Sequence, residues 1–489
     1  MNLKTSLVKG GFHLSLGQAA AQVSSFVRNI ILARLISPGD FGIAAVFGIV
    51  LQMVEMLSNI AAETLLIQAE DGDEERLQAT VQFIRVVRGA GNSLIILVLA
   101  GPFAKLFGVP QATWAFRCLA LLPVLRSLGH LDVNRFQRTL RFGPSVIVDA
   151  GSTWAATIIA IPLAFWLRDY SAMLWALLIQ VAAATLTSHF LAERHYSWIW
   201  DRSYWKRITS FGWPLLVNGI LMFGIFEGDR LVIGSSQRLF SQSVYTLTDL
   251  GVYSVAFSLT MAPALFIANI SSSLFLPLFS RVQKSSDQFR QRYLACSQST
   301  CLAAAVISIF FITAGGKLVS ILYGSKYAAA STVVGWLTVM WALRIIRVAP
   351  TLAAVAMGDT KNMMFSNSSR SLALVGMAVA AGTGSGLVWI AISGFCGELL
   401  ALVTSVWRLY RKNEIPPSLC AKPIMIAAGG VAISSFFAWE ARTGWAMTIG
   451  SWLGCTILVS VAMLAAFPDF YADIRSSLFK PRPAAVVEA

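Results

Sequence analysis

Charge is what this sequence has least of: only 13% of its 489 residues are Asp, Glu, Lys or Arg, while 56% are hydrophobic and the mean hydropathy is +0.67. A soluble domain carries a coat of roughly a quarter charged residues, so a water-soluble chain is excluded and the apolar surface must face lipid. Lipid offers the backbone no hydrogen bonds, which leaves helices or a closed barrel as the spanning structures. Apolar runs of about 20 residues, in place of short alternating stretches, select helices. Long polar segments are missing as well. The longest loop has about 15 to 20 residues, and no acid/base pair sits on it, so transport is expected and enzymatic chemistry is not.

Histidine and cysteine are also sparse. His13, His130, His189 and His195 are scattered without ligand spacing, and Cys118, Cys296, Cys301, Cys396, Cys420 and Cys455 form no CxxC pair. Neither a metal centre, a disulfide framework nor a cofactor is expected. The formal charge of +14 raises the question of nucleic acid. However, the basic residues are spread over short loops rather than gathered with aromatics, so a nucleic-acid partner is not expected.

What is present is a series of fourteen apolar runs, near residues 10–36, 40–68, 80–107, 112–131, 144–167, 171–192, 208–235, 250–280, 291–322, 331–357, 363–382, 386–407, 423–439 and 445–467. The first reads as a permanent span and not a cleaved signal, because Gln18, Gln22 and Arg28 interrupt it and a second run follows at once. The fold class is therefore an all-α membrane protein of about 14 transmembrane helices. With the N-terminus inside, cytoplasmic segments carry 22 Lys/Arg, against 6 outside: Lys105, Arg168, Arg238, Lys317, Lys326 and Arg442. That bias places both termini in the cytoplasm, with membrane lipids as the immediate surroundings. The acidic stretch Glu70–Glu75 reads as a solvated loop, and the Pro/Ala-rich end beyond Phe479 as a disordered tail.

An internal repeat divides the runs. Gly11 aligns with Gly212, each opening a span after basic residues, and Arg28-Asn29 then falls on Asp229-Arg230. Asp40-Phe41-Gly42-Ile43 matches Asp249-Leu250-Gly251-Val252, Leu125-Arg126 falls on Leu343-Arg344, and Thr139-Leu140-Arg141 on Asp359-Thr360-Lys361. Partners lie six spans apart, so the halves run parallel about an axis along the membrane normal. The expected organisation is an N-lobe at 1–195 (spans 1–6), a C-lobe at 196–412 (spans 7–12), a terminal helix pair at 413–468 (spans 13–14) and a cytoplasmic tail at 469–489. The two six-helix lobes are pseudo-symmetric.

The segment Ala33-Arg34-Leu35-Ile36-Ser37-Pro38-Gly39-Asp40-Phe41-Gly42 resembles the signature joining the first two helices of bacterial polysaccharide transport proteins. These are the oligosaccharide-lipid flippases of the superfamily that also holds multidrug and toxin extrusion carriers. Phe136-Gln137-Arg138-Thr139-Leu140-Arg141-Phe142 and Gly228-Asp229-Arg230-Leu231-Val232-Ile233-Gly234 resemble two further family segments. The resemblance implies flipping of a polyprenyl-pyrophosphate-linked oligosaccharide to the periplasmic leaflet by rocking lobes. It also implies partners such as a polysaccharide polymerase and glycosyltransferases. Ser235 to Thr248 lengthens the loop after the seventh span beyond its repeat counterpart.

Ten arginines fall within or at the ends of spans: Arg28, Arg34, Arg85, Arg88, Arg117, Arg126, Arg230, Arg344, Arg347 and Arg370. Each costs at least about 2.5–3.5 kcal/mol at mid-membrane. Guanidinium forks bind phosphate oxygens bidentately and stay charged. Arg34, Arg85, Arg88 and Arg117, near span ends, are expected to snorkel or pair. Arg28, Arg126, Arg230 and Arg344, deeper and repeat-related, with Arg347 one turn beyond Arg344, are the substrate-binding candidates for an anionic lipid-linked oligosaccharide. Arg370 is a further one. Intramembrane carboxylates are Glu55, Glu63, Asp149, Glu227, Asp229 and Glu398. Of these, Glu55, Glu227 and Asp229 are the ion-coupling candidates, with Asp229 also placed to neutralise Arg230 or Arg28. Glu55 leads because no basic residue is near it in sequence. The competing reading is an ion-coupled multidrug or small-molecule antiporter, which the excess of arginine over carboxylate disfavours.

Overall fold

A computed structural model describes residues 3–440 and 444–468; the expected tail, 469–489, lies outside them. Regular structure among the described residues is helical: α1 (Leu3–Leu35), α2 (Pro38–Ser58), α3 (Ala62–Gln68), α4 (Glu75–Leu106), α5 (Thr113–Leu119), α6 (Leu121–Ser127), α7 (Asp132–Arg138), α8 (Gly143–Val146), α9 (Ser152–Leu167), α10 (Ser171–Phe190), α11 (Arg202–Leu239), α12 (Leu247–Val282), α13 (Ser286–Tyr323), α14 (Ser331–Ala356), α15 (Lys361–Ser371), α16 (Ala373–Gly382), α17 (Leu387–Asn413), α18 (Ser418–Glu440) and α19 (Trp445–Ala466). Eleven of the helical stretches among the described residues are long and apolar enough to cross a membrane. Each of the fourteen expected runs holds one helix or a broken one. Outside the eleven are α1 and the two runs broken into α5–α6 and α15–α16. The exact number of spans is therefore not fixed at fourteen.

The breaks have local causes. Pro123 has no N–H for the Leu119 carbonyl four residues earlier, and α5 ends at Leu119. The Ser93 hydroxyl of α4 donates to the Ala120 carbonyl left at this junction. In the second run the chain turns at Ala61, whose φ of 49° is left-handed. The Asn59 side chain accepts from Ala61 N at 2.8 Å and holds that turn. Between α8 and α9 the backbone forms a π turn, Ile147–Gly151, a widening that sets Asp149 off the helical register.

The helices form two compact units. The first comprises Met1–Ser258, Val319–Ala330 and Leu374–Ile390. Inside it α1 lies along α9, with Ser24 and Thr157 hydroxyls 2.8 Å apart. α11 runs against α2 so closely that a Cβ on Gly219 would stand 2.7 Å from the Met56 carbonyl oxygen, and one on Gly212 would stand 2.1 Å from that of Ile60, just past α2. α2 and α12 cross where the repeat aligns them. Both begin with the same cap. Ser37 Oγ accepts from Asp40 N at 3.0 Å, and Thr246 Oγ1 accepts from Asp249 N at 3.2 Å. A Cβ on Gly42 would lie 1.9 Å from the Leu247 carbonyl oxygen, and one on Gly251 would lie 2.1 Å from that of Pro38. The repeat pairs Gly42 with Gly251 and Pro38 with Leu247, so the contact is reciprocal.

The Arg-rich end of this unit is tied by Asp132, which is fully buried. It accepts from Gln78 Nε2 at 2.9 Å, Arg135 Nε at 3.1 Å and the backbone N–H groups of Glu193 and Arg194 at 2.8 Å. Burial pushes its pKa up, but these bonds, led by Gln78, outweigh burial and bring it down to about 2. The acidic loop is not simply solvated: Asp71 takes both Arg207 nitrogens at 2.6 and 2.9 Å, and Glu74 accepts from Tyr204 Oη at 2.6 Å.

The second unit comprises Leu259–Leu318, Ser331–Ala373 and Ala391–Ala489. Its core packs Phe275, Phe279, Phe289 and Tyr293 against Ala349, Ala353 and Leu409. Asp359, just after α14, accepts from Arg408 Nε and Nη2 at 2.7 and 2.9 Å, and Arg408 holds its carboxyl below the usual range. α18 and α19 pack at Gly430, where a Cβ would meet Val459 Cγ2 at 1.9 Å.

Gly251→Val should drive α2 and α12 apart at a cost of about 1–3 kcal/mol. Thermal unfolding of the purified variant in detergent is expected to show a lowered midpoint, whereas Gly48→Val, where a Cβ would meet nothing within 4 Å, should leave it near the parent value.

Candidate functional site

The charged residues of the spans gather into four groups, three in the first unit. In the first group, Arg126 of α6 donates through Nη1 to Glu55 of α2. Beside it, Arg85 and Arg88 of α4 lie 3.4 and 3.8 Å from Glu63 of α3. Arg85 Nη2 also donates to the Arg126 carbonyl at 2.8 Å. A cavity of about 210 Å³ opens on this group, lined by Gln52, Glu55, Asn59, Glu63, Arg88 and Asn92. A second, of about 450 Å³, is lined by Asn134, Gln137, Asp149, Thr153, Gln180 and Thr185. Arg85 and Arg126 border both.

The second group is Arg28, buried at 6% exposure on α1. Its Nη1 donates to Gln180 Oε1 of α10 at 2.6 Å, and Gln180 Nε2 in turn donates to Thr153 at 3.2 Å. The third is on α11. Arg230 Nη2 donates to Glu227 Oε1 at 2.7 Å, and its guanidinium lies 4.7 Å over the Phe257 ring. Asp229 accepts from Tyr253 Oη at 2.8 Å.

The fourth lies in the second unit. Glu398 of α17, with no exposed surface, faces three guanidiniums: Arg370 Nε at 2.9 Å, Arg347 Nε at 3.4 Å and Arg344 Nη1 at 3.9 Å. Arg347 Nη1 also donates to Ser366 at 2.9 Å and Asn367 at 3.2 Å, and Arg344 lies over the Trp341 ring at 5.3 Å. One carboxylate among three guanidiniums leaves a surplus of positive charge, which favours an anionic ligand.

These contacts refine the expectations residue by residue. Glu55, which leads the coupling candidates for want of a basic sequence neighbour, has Arg126 as its partner in space. Arg230 pairs with Glu227 one turn earlier, while Asp229 accepts from Arg230 N at 2.7 Å and from Tyr253 Oη at 2.8 Å; Arg28 uses an amide. Arg344 and Arg347 are brought together as their spacing implies, and Arg370 joins them. The sequence reading missed Glu398 as the centre of that cluster and Gln180 as the partner of Arg28. Contacts spanning 152 residues, as between Arg28 and Gln180, leave no local signal.

A profile of polysaccharide biosynthesis proteins matches residues 31–332. The chain belongs to the polysaccharide biosynthesis protein family. Among family-like relatives, the succinoglycan biosynthesis transport protein ExoT of Rhizobium meliloti (strain 1021) is 24% identical over 402 residues, 80% of this chain and 77% of its own length. The lipopolysaccharide biosynthesis protein WzxC of Escherichia coli (strain K12) is 17% identical over 350 residues, 71% of this chain and 69% of its own. Among solved structures, the lipid II flippase MurJ in an inward closed conformation superposes with a TM-score of 0.63 at 15% identity, covering 94% of this chain and all of MurJ. An inward-facing multidrug resistance MATE family transporter of the MOP superfamily gives 0.63 at 13% identity, covering 81% of this chain and 95% of its own. This family member therefore has the helical fold of membrane transporters, and its relatives are transport and biosynthesis proteins, not hydrolases or transferases.

Glu398→Ala removes the carboxylate that Arg344, Arg347 and Arg370 face. Stranding buried charges in this way costs about 3–5 kcal/mol. Membrane-inserted protein should fall sharply on fluorescence-detected size exclusion, with Glu398→Asp retaining more of it than Glu398→Ala.

Proposed function

We propose that this protein moves a polyprenyl-diphosphate-linked oligosaccharide, the repeat unit of an exopolysaccharide, O-antigen or capsule, from the cytoplasmic to the periplasmic leaflet by alternating access. The observation that carries this is the sign of the charge inside the bundle. Arg28 is held by an amide alone, and Arg344, Arg347 and Arg370 share one Glu398. Such surplus guanidiniums suit a diphosphate and oppose a cationic drug. The relatives' names, succinoglycan transport and lipopolysaccharide biosynthesis, agree with this cargo class. An apolar groove of about 620 Å³ between α18 and α19, lined by Ile433, Phe437, Met447, Gly450, Gly454 and Leu458, suits a polyprenyl chain.

In this reading the lobes are 1–195 and 196–412, with 413–468 as a terminal pair, and both chain ends lie on the cytoplasmic side of the inner membrane. Arg28, Arg126, Arg230, Arg344 and Arg347 hold the diphosphate and anionic sugars. A polysaccharide polymerase and glycosyltransferases work beside it. Glu55 is the leading coupling carboxylate, ahead of Glu227 and Asp229. It neutralises Arg126 while the cavity is empty, and an arriving phosphate displaces it from that guanidinium.

Arg126→Ala with Arg344→Ala should abolish surface polysaccharide in a complemented deletion strain at unchanged protein level; normal export would sink the cavity assignment. Glu55→Gln should flatten the pH dependence of flipping by reconstituted vesicles. A profile identical to the parent removes Glu55 as the coupling group.

A further inference from the structure

The end of the first unit opposite the Arg-rich loops is built from four chain ends: the last turns of α1 and α13 and the first turns of α2 and α12. In the proposed orientation this is the periplasmic mouth. Two cations sit in it. Arg34, in the last turn of α1, donates through Nε to the Leu322 carbonyl at 2.7 Å and through Nη2 to the Ile321 carbonyl, both at the end of α13. Lys326, just past α13, donates its Nζ to the Arg34 carbonyl at 2.9 Å and to the Ile36 carbonyl, at the end of α1. Each helix is thus capped by the cation its neighbour supplies. Helix C-termini carry orphan carbonyls and the negative end of the dipole, so the exchange satisfies both at once. The edge-on contact of Phe41 with Tyr327, centroids 6.2 Å apart, lies against the same segments.

The acceptors distinguish these two cations from the glutamate-paired arginines of the spans. Arg85, Arg88, Arg126, Arg230, Arg344, Arg347 and Arg370 each face a glutamate. Arg34 and Lys326 are bound by neutral carbonyls, with Lys326 Nζ also 5.7 Å over the Tyr327 ring, and neither has an ion-pair partner among the described residues. The nearby carboxylates, Asp40 and Asp249, are engaged in capping α2 and α12. Both cations are exposed, so a ligand can reach them. The bonds to the carbonyls are already charge-assisted on the donor side, and a diphosphate adds the attraction of full negative charge, which a carbonyl lacks. A diphosphate therefore outcompetes the carbonyls, and when it does, both helix ends lose their caps together.

We infer that Arg34 and Lys326 form a second anion site, at the mouth opposite the Arg-rich loops, that takes a diphosphate group and in taking it releases α1 from α13. The inference deepens the proposed function: the cargo's diphosphate meets this pair on its way out, and its arrival loosens the seal it must pass.

Disulfide formation between the first turns of α2 and α12, which share this mouth with the ends of α1 and α13, reads whether it loosens. In a variant with the six native cysteines replaced, Gly39→Cys and Thr248→Cys face each other, since a Cβ on Gly39 lies 3.5 Å from Thr248 Oγ1. Millimolar inorganic pyrophosphate should slow cross-linking about tenfold, the worth of one hydrogen bond to a charged group, and chloride at equal ionic strength should not. Adding Arg34→Gln and Lys326→Gln should slow cross-linking without pyrophosphate and remove the response to it. A parental rate in that variant, or no pyrophosphate effect on the parent pair, overturns the site. Maleimide labelling of Ile36→Cys, a position only 1% exposed, gives the same readout without altering a glycine: pyrophosphate should speed it, and an unchanged rate overturns the site again. Flipping of a fluorescent polyprenyl-diphosphate sugar in vesicles is scored separately. If it fails while pyrophosphate still opens the mouth, the cargo assignment falls and the anion site stands.

Discussion

A guanidinium inside a lipid-facing bundle cannot shed its proton, so every one of them must be met by another group. That constraint organises this molecule. Glu55 draws α2 to α6, Glu63 draws α3 to α4, and Glu398 gathers α14, α15 and α17 around one carboxylate. Apolar packing against lipid is undirected, because lipid tails are as oily as leucine. The ion pairs supply the direction. They specify which helix meets which and in what rotation, and they hold the cationic groups in place for a ligand.

The groups divide by how fully the positive charge is answered. Arg126 and Arg230 each have a glutamate of their own, Arg344, Arg347 and Arg370 share one, and Arg28, Arg34 and Lys326 rest on amide or carbonyl oxygen. A fully paired cation yields to an anion only if its carboxylate can leave or be protonated, whereas a cation held by neutral oxygen yields at once. A carrier that must take hold of a dianion and later let it go has use for both kinds, the first coupled to protons and the second not.

Much of the architecture was legible in the sequence, because apolar run length and flanking charge report directly on a helix in lipid. The fold as a helical transporter, the positions of the runs and the pairing of Asp40-Phe41-Gly42 with Asp249-Leu250-Gly251 all follow from local pattern. Pro123 carried the signal for the break between α5 and α6, since a missing N–H acts four residues away. The π turn at Asp149 carried none, because no residue type demands it. The site was legible only in part. The rarity of charge marks which residues need a partner, but the partner itself lies one to several helices away, as with Arg28 and Gln180 or Arg344 and Glu398. Where several acidic residues lie close together, sequence does not say which one meets the guanidinium: the Arg230 side chain pairs with Glu227, while Asp229 takes the Arg230 backbone N–H and the Tyr253 hydroxyl.

The crossing of α2 and α12 has the form of an isologous dimer interface within a single chain: Gly42 meets the carbonyl of Leu247, and Gly251 that of Pro38, its repeat counterpart. Such a contact is natural if two copies of one shorter chain once associated face to face and were later joined. Fusion frees most of each copy to drift, and the flanking residues have done so, with Phe41 opposite Leu250 and Ser37 opposite Thr246. The two glycines have not had that freedom. A side chain on either would have to be accommodated by the backbone of the other half, so this small patch keeps a memory of duplication that its flanking residues have lost.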